Sequence, residues 1–295
     1  MYVHLLIEEG NALTYLMAIF MGIIQGVAEF LPISSSGHLA LFQTFFGMEN
    51  VEEKYMLFTV LLHFGTLLSV CVVYWRDVLE MIREFFLGLA ALAGRKERQD
   101  QPPVARRLVM LIIVATLPLF VMVFLKDFIN QLFSNSLMVS CALIATGFIL
   151  FFSDRLAHGH KNARNATMAD ALVIGCGQAL AVIPGLSRSG TTISVGMLRG
   201  LDRSFAVRFS FLMSLPAILG ANILEVKDAV ESGFPMEELP MYLVGVAVAA
   251  VTGYFAIRLV KTLSDQGKFG KFSYYCWAVG LGSLLAGIFK MAVLS

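Results

Sequence analysis

The sequence predicts an all-α integral membrane protein with about six transmembrane helices and two re-entrant helix pairs, built as an inverted-topology internal repeat. Three observations carry this fold class: an apolar excess, a sorting of charge among the loops, and a gapless match of the chain to itself. Of 295 residues, 58% are apolar and 15% charged, where a soluble domain has about 45–50% and about 25%. These figures exclude a disordered chain, a disulfide scaffold and an ordinary water-soluble enzyme. A net charge of +1 gives no reason to expect nucleic acid as a partner. Cys71, Cys141, Cys176 and Cys276 lie scattered in apolar stretches without C-x-x-C spacing and read as small hydrophobes.

A membrane span needs about 20 mostly apolar residues to cross about 30 Å of hydrocarbon. Segments 55–75, 108–125, 136–153, 240–257 and 272–294 qualify directly, and 205–224 qualifies with Arg208 near its start. No cleavable signal peptide is expected, because the first eleven residues carry Glu8 and Glu9 and no Lys or Arg. Segment 94–107 carries Arg95, Lys96, Arg98, Arg106 and Arg107; 154–170 adds Arg155, Lys161 and Arg164; 258–271 adds Arg258, Lys261, Lys268 and Lys271. The other connections hold one lysine each (Lys54, Lys126, Lys227), so the first set is assigned to the cytoplasm and the second to the outside.

That assignment forces segment 13–46 to begin and end outside and segment 169–203 to begin and end inside. Both are apolar but broken in the middle by Pro, Gly and Ser, and both read as re-entrant helix pairs. Such backbone is tolerated at membrane depth only where protein or a water-filled cavity surrounds it. Segment 78–93 reads as a further helix at the cytoplasmic surface.

Laying residue n over residue n+153 aligns the two broken segments without a gap. Gly22, Gln25, Ala28, Ser34, Ser36 and Gly37 fall on Gly175, Gln178, Ala181, Ser187, Ser189 and Gly190, six identities in sixteen positions where ordinary composition gives roughly one. The chain thus reads as one membrane domain over 1–295, with repeat one at about 12–153 and repeat two at about 169–294. Inverted repeats with broken helices place a site near the midplane, where the halves meet.

The first break runs Gln25-Gly-Val-Ala-Glu29-Phe-Leu-Pro32-Ile-Ser34-Ser35-Ser36-Gly37-His38. Gln25 and Glu29, four apart, share a helix face. Pro32 ends that helix, and the serines and Gly37 start the next, exposing N–H groups at the positive end of a helix dipole. An ionisable Glu29 at this depth is a functional residue by default, and His38 is a candidate general acid or base. The second break runs Pro184-Gly185-Leu186-Ser187-Arg188-Ser189-Gly190-Thr191-Thr192. Arg188 at membrane depth calls for an anion, and its planar guanidinium suits a phosphate; the alternative is a structural ion pair with Glu29. Ser187, Ser189 and the N–H groups of Gly190 and Thr191 are candidates to complete an oxyanion cradle. His63, inside a span, reads as packing or a helix-to-helix hydrogen bond, and His158 and His160 as solvated. Arg199, Asp202, Arg203 and Arg208 read as anchors meeting lipid headgroups.

A phosphate sink inside a lipid-facing protein points to a lipid phosphate as substrate. Two chemistries follow. In one, an activated serine attacks phosphorus and water resolves the phosphoseryl intermediate, with Glu29 or His38 taking the serine proton. In the other no bond breaks, and the protein is a transporter or flippase for a lipid phosphate or another anion. A carboxyl, a hydroxyl and an imidazole beside the anion clamp favour the first.

The two broken motifs, together with His63-Phe-Gly65 through Trp75-Arg76 and Phe209-Ser-Phe211 through Pro216, resemble the undecaprenyl-diphosphatase, or bacitracin-resistance, family along the whole chain. The resemblance implies hydrolysis of a C55 polyprenyl diphosphate to the monophosphate carrier of cell-wall synthesis, at the outer face of the bacterial cytoplasmic (inner) membrane. It also implies dependence on a divalent cation, Mg²⁺ or Ca²⁺, with no organic cofactor. Carried onto this chain, catalysis falls to Glu29, Ser35, His38 and Arg188, with Ser35 the candidate nucleophile. The first motif also gives weight to Gln25, and the second gives phosphate binding to Arg188 with Ser187 and Ser189; the residue reading adds Ser34, Ser36, Gly37, Gly190 and Thr191 as substrate-binding candidates beside Gln25. Gln25 stands where some members carry Glu, so Glu29 is the motif's only carboxylate and the candidate metal ligand. Membrane lipids are the expected surroundings, and the reading leaves room for a homo-oligomer.

Overall fold

In a computed structural model the described residues, 14–46, 56–92, 103–125, 129, 132, 135–232 and 236–294, are helical apart from turns and one isolated bridge between Lys161 and Leu201. Helix α1 (Tyr15–Phe30) starts at Thr14, whose hydroxyl accepts from the Met17 amide, and stops at Leu31, whose extended backbone suits the residue before Pro32. Helix α2 (Ser35–Phe46) follows after four residues. Helix α3 (Met56–Val73) meets α4 (Trp75–Leu92) at a 93° bend. Helices α5 (Val104–Thr116) and α6 (Leu119–Val123) make one stretch interrupted at Pro118, and α7 (Ser136–Leu156) starts at an Asn135 cap.

The second half opens with α8 (Met168–Leu180), started by a reciprocal capping box between Thr167 and Asp170. Then come α9 (Arg188–Leu198), the 30-residue α10 (Arg203–Ser232) with Pro216 inside it, α11 (Leu239–Asp265) and α12 (Phe272–Leu294).

Among the described residues, four helical stretches are long and apolar enough to cross a membrane: Val104–Val123, Ser136–Leu156, Met236–Asp265 and Phe269–Ala292. The bent pair Leu57–Val73 and Trp75–Ala91 would make a fifth. The protein is therefore a multi-pass membrane helical bundle. Four expected spans coincide with these four stretches, and 55–75 coincides with α3. The sixth, 205–224, lies within α10. The shorter α1 and α8 would reach only about 24 and about 20 Å at about 1.5 Å per residue, short of the hydrocarbon thickness.

Helix α4 displays Trp75, Leu79, Ile82, Phe86 and Leu89 on one exposed face at helical spacing. Its Glu84 binds Arg106 of α5 at 2.9 Å on another side. The helix expected over 78–93 falls on α4 as far as residue 92, the last described there.

Packing crosses between the halves. Helix α1 lies along α11, α8 along α5, α3 along α10, and α7 along α12. One continuous core joins Phe30 and Ile33 of the first break to Ile193 and Met197 of α9 and to Phe209, Phe211 and Met213 of α10.

The charged cluster at 199–208 differs from its expected role as lipid anchors. Arg199 and Lys161 both pair with buried Asp170, Arg203 with Asp154, and Arg208 with Asp77, while Asp202 caps α10 by accepting from the Phe205 amide. These charges join helices to one another, because each arginine has a carboxylate brought alongside by the fold.

Candidate active site

The site forms where the two broken helix pairs meet. In the first break, Ser34 adopts φ +69°, a left-handed conformation uncommon outside glycine. This turns α2 back so that its first residue faces the last turn of α1. The Ser34 hydroxyl accepts from the Gly37 amide at 3.1 Å, and its carbonyl accepts from the His38 amide at 3.2 Å. Ser35 thereby donates its hydroxyl to Glu29 Oε2 at 3.0 Å, and Gln25 Nε2 donates to the same oxygen at 3.1 Å.

The second break turns at Gly185, φ +93°, whose Cα is so close to α7 that a Cβ would lie 2.4 Å from the Val139 carbonyl. Thr146 of α7 fixes the turn, donating to the Gly185 carbonyl at 3.0 Å and accepting from the Ser187 amide at 3.1 Å. Ser187 then caps α9 by accepting from the Gly190 amide at 3.1 Å, and the first residue of α9, Arg188, donates to Glu29 Oε1. Ser189 donates to the Leu31 carbonyl at 3.3 Å, binding one break to the other.

Backbones touch here as well. A Cβ on Gly37 would sit 2.9 Å from Gly185 Cα, and one on Gly190 would sit 3.1 Å from Pro32 Cβ. The two turns interlock, and only glycine permits the approach at 37.

Glu29, 8% exposed, is thus a buried carboxylate with both oxygens engaged, by Arg188 on one and by Gln25 and Ser35 on the other. Chemically this is a hydroxyl poised on a base, with a guanidinium alongside. Of the expected residues, Gln25, Glu29, Ser35 and Arg188 come together. Ser34, Ser36, Ser187 and Ser189 form the two turns, with Oγ–Oγ contacts of 3.4 Å for Ser34–Ser36 and 3.3 Å for Ser187–Ser189. The amides of Gly37, Gly190 and Thr191 are spent inside the turns, Thr191 donating to the Ser187 carbonyl at 2.8 Å. The cradle expected from the Gly190 and Thr191 N–H groups is therefore already filled by the cap itself.

His38 spends both ring nitrogens on partners other than Glu29. Its Nδ1 bonds the Ser34 carbonyl at 2.8 Å, which leaves Nε2 to accept from the Tyr275 hydroxyl at 2.8 Å. The histidine that approaches the carboxylate is His63 of α3, with Nε2 3.9 Å from Glu29 Oε2 and Nδ1 bonded to the Thr59 carbonyl at 2.9 Å. In the sequence it is one histidine in an apolar run, and its spacing carries no signal; only the folding of α3 beside α1 reveals it.

A protein-held divalent cation does not fit this donor set. Glu29 receives a guanidinium, an amide N–H and a hydroxyl, and among the described residues no group of three His, Cys, Asp or Glu side chains is arranged to hold a metal ion. Glu29 as a metal ligand would first have to release these donors.

Residues 18–282 match the family described as bacitracin resistance protein BacA. The chain is also similar to proteins named undecaprenyl-diphosphatase. It is 41% identical to that of Halothermothrix orenii over 273 residues, covering 92% of this chain and 98% of the relative. It is 40% identical to that of Alkaliphilus metalliredigens over 270 residues, 91% and 97% of the two chains. With that of Methanosphaera stadtmanae it shares 35% identity over 282 residues, 94% and 99% of the two chains.

Proposed function

The chain belongs to the bacitracin resistance protein BacA family, and from that premise we propose that it hydrolyses undecaprenyl diphosphate to the monophosphate and inorganic phosphate, recycling the lipid carrier. The observation that carries this reading into chemistry is the convergence of Ser35 and Arg188, from opposite halves of the chain, on the buried carboxylate of Glu29.

Ser35 Oγ attacks the terminal phosphorus, and its proton passes to Glu29 Oε2. The bond from that phosphorus to the bridging oxygen breaks, its electron pair leaving on the polyprenyl monophosphate. Water then cleaves the phosphoseryl ester, releasing inorganic phosphate. Arg188 has five N–H donors, enough to hold Glu29 and the charge developing on the transferring phosphoryl group together. Gln25 keeps the Glu29 carboxyl facing Ser35, and His38 holds the Ser34 turn. The Mg²⁺ or Ca²⁺ expected from the family is read as arriving on the diphosphate, which supplies the oxygen ligands such ions prefer.

The two halves are read as inverted repeats carrying six spans and two re-entrant pairs. Several contacts support this. Under the shift of 153, the contact of Gly37 with Gly185 exchanges with that of Gly190 with Pro32. The Ser34–Gly37 and Ser187–Gly190 caps correspond, both at 3.1 Å. The α1–α11 packing exchanges with α8–α5, while α3–α10 and α7–α12 each pair equivalent helices. In a bacterial inner membrane the site is read as opening to the outer face.

Purified protein in detergent should release inorganic phosphate from undecaprenyl diphosphate, and substrate added outside sealed right-side-out vesicles should be consumed. Folded protein that releases none, yet carries anions across liposomes, would overturn the reading in favour of a transporter.

A further inference from the structure

Double displacement at phosphorus raises a demand that Glu29 alone does not meet. After the first half-reaction Glu29 holds the Ser35 proton. In the second, the departing Ser35 oxygen needs a proton while the attacking water must lose one. Glu29 can return the first, and another base must take the second.

We propose that His63 is a further catalytic residue, the general base for the water that hydrolyses the phosphoseryl intermediate; this rests on the covalent reading above. Nδ1–H is committed to the Thr59 carbonyl, so in the neutral ring Nε2 carries the lone pair, and Nε2 is the atom 3.9 Å from Glu29 Oε2. The gap exceeds a hydrogen bond, which leaves the imidazole beside the Ser35–Glu29 pair without consuming it. His38, the other histidine near the break, has both nitrogens in bonds to Ser34 and Tyr275.

The position of His63 is fixed by its helix. Helix α3 is tied to α11 by the Ser69 hydroxyl donating to the Ala250 carbonyl at 2.8 Å, and α3 packs on α1 and α10 as well. The charged groups brought to this side are Glu29 from α1 and, behind it, Arg188 from α9. Helix α10 carries no ionisable residue between Arg208 and Glu225, and α11 none between Tyr242 and Tyr254.

The hydrolytic step balances as follows. Water oxygen bonds to phosphorus and the phosphorus–Oγ bond breaks. The water proton goes to His63 Nε2, and the Glu29 proton goes to Ser35 Oγ. Glu29 is restored as a carboxylate, Ser35 as a hydroxyl, and His63 passes its proton to the departing inorganic phosphate.

The test is acid quenching during turnover of undecaprenyl diphosphate labelled with ³²P in the terminal phosphate. In His63→Ala, steady turnover should fall by about 10²–10⁴-fold, while a burst of polyprenyl monophosphate remains and label accumulates on Ser35. His63→Gln, which keeps a polar side chain but supplies no base, should behave alike. Either variant turning over at the wild-type rate without accumulating label would overturn the proposal. So would a variant that melts like wild type yet shows neither burst nor label, since His63 would then act before the intermediate. If Ser35→Ala itself turns over normally, the covalent reading falls and this inference falls with it.

Discussion

Arg188 and Glu29 stand 159 positions apart in the chain, and the guanidinium of the first closes on Oε1 of the second. The pair spans the joint between the halves and leaves Oε2 facing Ser35. A single carboxylate thus holds the halves together through one oxygen and accepts the serine hydroxyl through the other.

Glu29→Gln should remove the base and leave Arg188 without its counter-charge. Losing one partner of a largely buried pair costs about 3–5 kcal/mol, so both turnover and the melting temperature should drop. Arg188→Lys should keep part of the stability but lose at least about tenfold in kcat, because a lysine lacks the planar fork. Phosphate release and a thermal melt in detergent check both.

At Gly185 the substitution to Ala should be more damaging than at solvent-facing glycines. The left-handed backbone alone costs about 1–2 kcal/mol for a residue with a Cβ. That Cβ would also lie 2.4 Å from the Val139 carbonyl. The expected outcome is loss of monodisperse protein on size-exclusion chromatography.

His38 should be replaceable by the right amide. Asn can repeat the bond from Nδ1 to the Ser34 carbonyl, so His38→Asn should retain kcat within about threefold, while His38→Ala should lose about tenfold or more as the turn loosens. Equal losses in the two variants, measured as initial rates, would make His38 a participant in the chemistry.

Asp154 offers a control far from the chemistry. It pairs with Arg203 through one oxygen and accepts the Gly270 amide at 2.9 Å through the other. Asp154→Ala should destabilise by about 1.5–3 kcal/mol and leave KM unchanged, as a melt and a substrate titration would show.

The chemistry-bearing breaks are legible in the sequence because Pro, Gly, Ser and charge are conspicuous in an apolar background. Glu29 and Arg188 stand out for that reason, Ser35 is picked from its serine run by the family resemblance, and the structure joins the three. His63 escapes because its partner lies on another helix and local spacing holds no trace of it. The arginines at 199, 203 and 208 mislead in the same way: their carboxylates lie 29, 49 and 131 positions away, so from sequence they look unpartnered and suited to headgroups. Gly190 and Thr191 show a subtler effect, since a capped helix start and an open anion cradle need the same residue types.

The distance along the chain between Glu29 and Arg188 is also a delay. A ribosome adding about 5–20 residues per second needs roughly 8–32 s to make the 159 residues that separate them. For that interval the guanidinium that pairs with Glu29 does not yet exist. Until α9 is made, Glu29 has only Gln25 and Ser35 of its hydrogen-bonding partners, so the first half alone cannot complete the site.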